Sequence, residues 1–253
     1  MKGRIEGPLA TIEMLETADP ALSWDEIWAL IQRFYEADRG YVEELIRHHG
    51  SIALCRAAGD GRLVGITALD VYPTEFEGRK VAVIFTSHVM LEEAFRGQNL
   101  LQRLGWRTFL RTRLRFPFHA IYWFFDSFSY KSYLLLPHNF RDFWPRREGP
   151  PPPWESGLMN HLAVQMYREA WQPSLGIVRR TGHKRLRAET APLQAEYDRD
   201  PDLAFYARAN PGHAEGDMLV CLCPLTLVNL VTLGVRARQR ARRLRQEAAA
   251  GDR

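Results

Sequence analysis

Apolar side chains recur at helical spacing after Ser23, with Ile27, Leu30, Ile31 and Phe34 on one face. Ser23 and Glu26 form a pattern in which each side chain can satisfy a free backbone N–H at a helix start. The spacing predicts a helix over about 24–37. Val42, Leu45 and Ile46 mark a second, shorter helix ending near Gly50, and the alternation through Ile52, Leu54 and Cys55 is that of a strand. Gly59-Asp60-Gly61 accepts the positive φ of a tight reversal, so a second strand, Leu63 to Val71, pairs back on the first. Pro73 to Gly78 breaks the chain. Val81 to Leu91 is then a long, largely uncharged run rich in β-branched residues, as a central strand requires. From Asn99 to about Leu114 the period turns helical, with Arg103, Arg107 and Arg111 in one polar stripe against a wide apolar arc. That arc predicts a mostly covered helix. His119 to Phe125 is again an apolar strand, which completes a strand-helix-strand crossover.

Gly149 and Pro150 to Pro153 read as a stiff extended spacer. They divide the chain into a core over 1–147, a linker over 148–155, and a C-terminal part over 156–253 that completes the sheet and ends in a basic helix. Within that part the pattern predicts a helix over Ser156 to Ala170, an apolar stretch at Leu175 to Val178 and a helical segment at Leu186 to Tyr197. Strands are predicted at Leu203 to Ala207 and Met218 to Leu225, separated by Asn210-Pro211-Gly212.

A chain of 253 residues, 46% of them hydrophobic, can bury a substantial core. Net charge is only +4, but arginines concentrate at Arg141 to Arg147 and Arg236 to Arg245. The odd count of Cys55, Cys221 and Cys223, with no histidine cluster beside the C-x-C pair, points to buried reduced thiols and to no metal. Met1 to Thr11 contains no apolar run, so neither a secretory signal nor an N-terminal anchor is expected, and the expected compartment is the cytoplasm. Met218 to Val235 carries no charge and reaches the lower length limit of a bilayer span, yet Pro224, Thr226 and Asn229 favour a strand followed by an amphipathic helix. The arginines beyond it could lie on the inner face of an anionic membrane, or merely in water. Nucleic acid is not favoured as a partner, because the basic residues sit in a terminal tail and a Pro-flanked loop without a recognition helix.

The stretch with most chemical content is Val89-Met90-Leu91-Glu92-Glu93-Ala94-Phe95-Arg96-Gly97-Gln98-Asn99-Leu100-Leu101, between the buried strand and the helix. A strand-to-helix turn leaves the first N–H groups of the helix unpaired, and these can hold phosphate oxygens with Arg96 beside them. Here the sequence resembles the GNAT superfamily of acyl-CoA acyltransferases, whose fourth strand runs into an Arg/Gln-x-x-Gly-x-Gly/Ala turn that cradles the CoA pyrophosphate. The strand, Phe95-Arg96-Gly97 and the following helix match. Asn99 stands in place of the first glycine and Leu101 in place of the second. Asn tolerates a left-handed backbone, whereas a Leu side chain narrows the approach.

The resemblance implies a mixed, mostly antiparallel α/β (α+β) sheet flanked by helices, with a C-terminal extension. It also implies acyl-CoA as donor, a shifted CoA or an acyl carrier protein being alternatives, held by Leu91, Arg96, Gly97, Gln98, Asn99, Leu100 and Leu101. Direct transfer to an amine needs a base and an acid. His88, late in the central strand, or Glu92 is the candidate base. Tyr133, with Tyr130 as the other possibility, is the candidate acid for the leaving thiolate. The aromatic stretch from Ile121 to Phe128 suits an acyl group longer than acetyl. The acceptor would be a small-molecule or lipid amine. The rival expectation is a non-catalytic binding module of the same fold, one that could sit at a membrane surface, in which the missing glycines mean lost donor binding.

Overall fold

The computed structural model describes residues 9–96, 98–179, 184–187 and 200–251. The chain opens with β1 (Ala10–Glu16), α1 (Trp24–Ile31), β2 (Tyr35–Ala37), α2 (Arg39–Arg47), β3 (Ser51–Ala57), β4 (Leu63–Phe76) and β5 (Arg79–Leu91). A 3-10 turn at Glu93–Phe95 leads to α3 (Leu100–Arg115), then β6 (Ala120–Ser127), α4 (Tyr130–Tyr133) and α5 (Leu135–Asn139). After the prolines come α6 (Pro153–Tyr167), β7 (Trp171–Gln172), β8 (Ile177–Val178), β9 (Lys184–Leu186), α7 (Pro201–Ala209), β10 (Met218–Pro224) and α8 (Leu227–Gly251).

Eight strands form one sheet in the order β1-β3-β4-β5-β6-β10-β8-β7, and β2 pairs with β9 separately. Every pair in the large sheet is antiparallel except β5 with β6, which α3 joins as a crossover. The mixed, mostly antiparallel sheet flanked by helices is the one the sequence implies. One core, covered by α1, α2 and α6, joins Ile27, Ile46, Phe85 and Phe124 to Leu158, Leu162 and Leu222. The other face of β6 and β10 packs on α4, α5 and α7 through Phe125, Tyr133, Leu136, Tyr206 and Cys221.

Several boundaries differ from the sequence pattern. α1 stops at Ile31, because the Phe34 carbonyl accepts from the Arg187 N–H and Tyr35 pairs with Leu186, so the backbone leaves the helix for a strand. At its start Ser23 accepts from the Glu26 N–H, but Glu26 turns away to Arg56 at 2.8 and 2.9 Å, so the reciprocal half of the cap is not made. β4 runs through Pro73 to Phe76 and turns only at Glu77-Gly78, where both φ angles are positive. α6 starts at Pro153, a position where its missing N–H costs nothing, and the helix packs into the main core. Leu203 to Ala207, expected as a strand, lies in α7. Asp200 caps that helix through the Asp202 and Leu203 N–H groups, and Pro201 occupies its first turn.

β1, which the hydrophobic pattern does not mark, pairs with β3 along its whole length at the edge of the sheet. Of the segment Leu186 to Tyr197, residues 188–197 lie outside the described residues. The strand to Leu225 followed by a helix is observed as β10 and α8. Among the described residues, no helix is long and apolar enough to cross a membrane. Cys55, Cys221 and Cys223 are buried and unbridged. α3 buries only Leu100, Leu104, Thr108, Phe109 and Thr112, and its Trp106, Leu110 and Leu114 are exposed, so the helix is not mostly covered. A flat sheet reaches one side of a cylinder, whatever the width of the apolar arc.

Candidate acyl-transfer site

β5 and β6 form a ladder from Val81–Ala120 to Thr86–Phe125 and then part. Beyond that point β5 keeps only β4, while β6 keeps β10 as far as Ser127. The parting coincides with a bulge. Ala68 pairs with Ser87 and Ile66 with Met90, so His88 and Val89 stand opposite Thr67 alone. His88 takes φ +51, a left-handed conformation that an L side chain adopts only when its surroundings hold it there. Further along, β4 and β5 approach closely at Gly65, where a Cβ would lie 2.7 Å from the Met90 carbonyl oxygen. The extra residue bends β5 away from β6 and opens the sheet.

A cleft of ≈ 410 Å³ fills this opening, between the end of β5, the start of α3 and the segment from Phe128 to His138. Arg96, an exposed side chain at its edge, donates Nε–H to the Leu91 carbonyl at 3.2 Å. Asn99 has φ 56 and ψ 27, the left-handed geometry for which the family uses glycine, and makes no side-chain cap. The first N–H groups of α3 therefore face the cleft uncapped by Asn99, where a helix start attracts anions. Leu91, Arg96, Asn99, Leu100 and Leu101 all line it. Leu101 is half-buried and stands between this cleft and an apolar pocket of ≈ 150 Å³ beneath α3. Gln98 is half-buried in the same turn but is not a lining residue, and Gly97 lies outside the described residues.

The candidate acids and bases separate in space. Both Glu92 carboxylate oxygens are engaged by guanidinium groups, Arg33 on one and Arg62 on each, with Arg62 Nη2 at 3.0 Å. Glu92 is thus paired with two arginines at the end of β5. Tyr133 is fully buried behind β6, where its hydroxyl donates to the Pro145 carbonyl at 3.1 Å and burial holds the phenol far above its ordinary range. Neither Tyr133 nor Tyr130 lines the cleft. The phenol that does is Tyr35 of β2, raised by burial and by the Asp126 carboxylate.

His88 is at the centre of a buried polar chain that periodicity could not reveal. Its Nδ1 lies 2.8 Å from Ser87 Oγ, which is 2.8 Å from His49 Nε2, and His49 Nδ1 is 2.6 Å from Asp70 Oδ2. On the other side, His88 Nε2 is 3.4 Å from Lys184 Nζ. One assignment satisfies every donor: Lys184 donates to His88, His88 Nδ1–H to Ser87, Ser87 O–H to His49, and His49 Nδ1–H to Asp70. The bulge makes this possible by placing the neighbours Ser87 and His88 within bonding distance on one side of β5, while Thr86 faces Trp123 on the other. Tyr41, His88, Asp126, Phe128 and Lys184 then line a small pocket that meets the cleft at Phe128.

The parallel β5–β6 pair, joined through α3 and parted at a bulge within an otherwise antiparallel sheet, decides the architecture. The core fold is GNAT-like.

Solved structures with a similar core include a probable N-acyltransferase from Enterococcus faecalis, 13% identical over 53% of this chain and 33% of that one, with a TM-score of 0.39. A GNAT family N-acetyltransferase (YhbS) from Escherichia coli, in complex with CoA, is 19% identical over 55% of this chain and 76% of that one, with a TM-score of 0.36. A Trypanosoma brucei acetyltransferase is 21% identical over 56% and 99%, with a TM-score of 0.38. The present chain thus spans about a third of the first of these. No family model and no curated protein matches the sequence. The GNAT-like assignment rests on the sheet order, and likenesses of this size carry no information on substrate.

Proposed function

We propose that this protein is an N-acyltransferase that moves an acyl group directly from acyl-CoA to an amine. The observation that carries the reading is the parting of β5 and β6 beside the bulge at His88, which opens the sheet between an uncapped helix start and a buried histidine. In this reading the diphosphate lies on the first N–H groups of α3 with Arg96, and the pantetheine arm runs into the cleft. The left-handed Asn99 supplies the backbone turn that glycine supplies elsewhere. His88 Nε2 takes the proton of the incoming ammonium, and Ser87, His49 and Asp70 hold its ring and pass charge toward the partly exposed Asp70. Tyr35 replaces Tyr133 as the acid that returns a proton to the thiolate.

The apolar pocket under α3 shares Val89, Leu101, Gln102 and Leu135 with the cleft, which supports a donor acyl group bulkier than acetyl. Its rim is unusual. Trp106, Leu110, Leu114 and Phe118 are exposed on or just after α3, Leu227 and Val231 are exposed on α8, and Arg107 and Arg111 stand among them. Apolar side chains beside arginines support contact with an anionic lipid surface and a lipid amine as acceptor. The arginines of α8 contribute less to this than their number implies, because Arg236 and Arg240 donate to the Pro137, His138 and Phe140 carbonyls at the end of α5.

Isothermal titration with CoA, acetyl-CoA and a long-chain acyl-CoA tests the reading. Arg96→Ala is expected to weaken binding of each about tenfold or more, the scale of one charge-assisted hydrogen bond. An acyl carrier protein as donor would bind through the same cleft without this sensitivity to the adenosine phosphates. Absence of any donor binding would leave the non-catalytic module as the reading.

A further inference from the structure

Lys184 is held against His88 in the small pocket beside the cleft. β9 pairs with β2 through Lys184–Ala37, Arg185–Glu36 and Leu186–Tyr35, and the register is locked by the Arg185–Glu36 ion pair at 2.6 Å and by Arg187 Nε donating to the Gln32 carbonyl at 2.7 Å. Strand alternation sends Arg185 outward to Glu36 and Lys184 to the opposite side. There the Lys184 ammonium lies 4.6 Å from the ring centres of both Tyr35 and Phe128, and 3.4 Å from His88 Nε2. Tyr35 and Phe128 also line the donor cleft. One amine is therefore in contact with the base on one side and with the cleft wall on the other.

Two further facts make this placement informative. The chain has only four lysines, Lys2, Lys80, Lys131 and Lys184, against a large excess of arginine. An arginine would satisfy the same aromatic rings but could not be deprotonated to a nucleophile. His88 presents Nε2 to Lys184, while its Nδ1 is committed to Ser87.

Resting on the donor reading above, we propose that Lys184 is an acyl acceptor built into the chain, so that the protein acylates its own Lys184 Nζ. His88 Nε2 removes a proton from the ammonium, and the freed lone pair attacks the thioester carbonyl carbon. The carbon–sulfur bond then breaks, the sulfur leaves as a thiolate that takes up a proton, and the amide nitrogen loses its second proton to solvent. The products are N-acyl-Lys184 and free CoA. Acylation removes the charge that the Tyr35 and Phe128 rings hold and blocks the contact with His88, so the modified chain offers the pocket to a different amine or leaves it plugged.

The test uses the full chain with acetyl-CoA and no added amine, followed by peptide mass spectrometry with a protease that cuts at acidic residues. The expected result is one acetyl group per chain at Lys184, formed at a first-order rate independent of protein concentration, as an intramolecular reaction requires. The same rate should fall at least about a hundredfold in His88→Gln, the scale of general-base loss. Lys184→Arg should lose the label, while exposed Lys80 reports background chemistry. Labelling of Lys184 no faster than Lys80, in a protein that calorimetry shows to bind acetyl-CoA, would overturn the proposal and leave the donor reading standing. Lack of both labelling and donor binding would overturn the two together.

Discussion

Replacing Ser87 by alanine removes the middle of the polar chain without adding bulk, and the consequence can be worked from its geometry. Ser87 is 6% exposed, and its hydroxyl stands 2.8 Å from two histidine nitrogens whose side chains are each 9% exposed. Loss of Oγ leaves His49 Nε2 and His88 Nδ1 buried without that partner. A buried polar group left unsatisfied costs about 1–3 kcal/mol. A water entering the small void would offset part of this, so roughly 2–4 kcal/mol of stability is expected to go. For a chain of this size, that corresponds to a fall in Tm of roughly 4–16 °C. Ser87→Thr keeps the hydroxyl and should recover much of the loss. The decisive assay is nitrogen NMR of the imidazoles. In the native protein both rings are expected with hydrogen on Nδ1, and in Ser87→Ala the two should exchange tautomers or titrate independently. If the native rings carry hydrogen on Nε2, or if Ser87→Ala leaves Tm and both tautomers unchanged, the directional chain from Lys184 to Asp70 does not exist.

Tyr133→Phe should cost about 1 kcal/mol by urea titration, the net value of its hydrogen bond to Pro145, and leave acyl transfer unaltered, whereas Tyr35→Phe should slow transfer and spare donor affinity. Glu26 is held below the ordinary carboxylate range chiefly by its hydrogen bonds to Arg56, so its contribution is present above the pKa of the unfolded chain and is lost as pH falls through the lower folded value. Glu26→Gln should accordingly flatten the acid side of the stability curve, with the gap to the native protein narrowing as pH drops below 4. Leu110→Glu with Leu114→Glu should shift stability by less than about 0.5 kcal/mol, since both side chains are exposed. The same pair should abolish co-sedimentation with anionic vesicles while calorimetry still detects the donor. Retained sedimentation would remove α3 from the lipid contact.

Short-range patterns determined much of this architecture. The uncharged run from Val81 to Leu91 became the central strand, the period after Asn99 became α3, and the hairpin formed where Gly59-Asp60-Gly61 places it. Asn99 is left-handed, as the substitution of Asn for glycine allows, because that preference belongs to the residue itself. Other local signals compete with one another. Asp200-Pro201 begins a helix by capping chemistry, although the apolar content of Leu203 to Ala207 suggested a strand.

What only the tertiary structure decided are contacts between distant segments. Phe34 keeps helical phase with Ile27 and Ile31, yet its carbonyl is taken by Arg187, 153 positions on by numbering, and the helix ends. Asp70, His49, Ser87, His88 and Lys184 come from three strands and the loop after α2, and no spacing announces that they join. The bulge that orients His88 depends on β4 being one residue short against β5, a mismatch of register that neither strand records alone. Periodicity carries the face each residue turns to the core. Which two faces meet, and which proton then has somewhere to go, is set by packing.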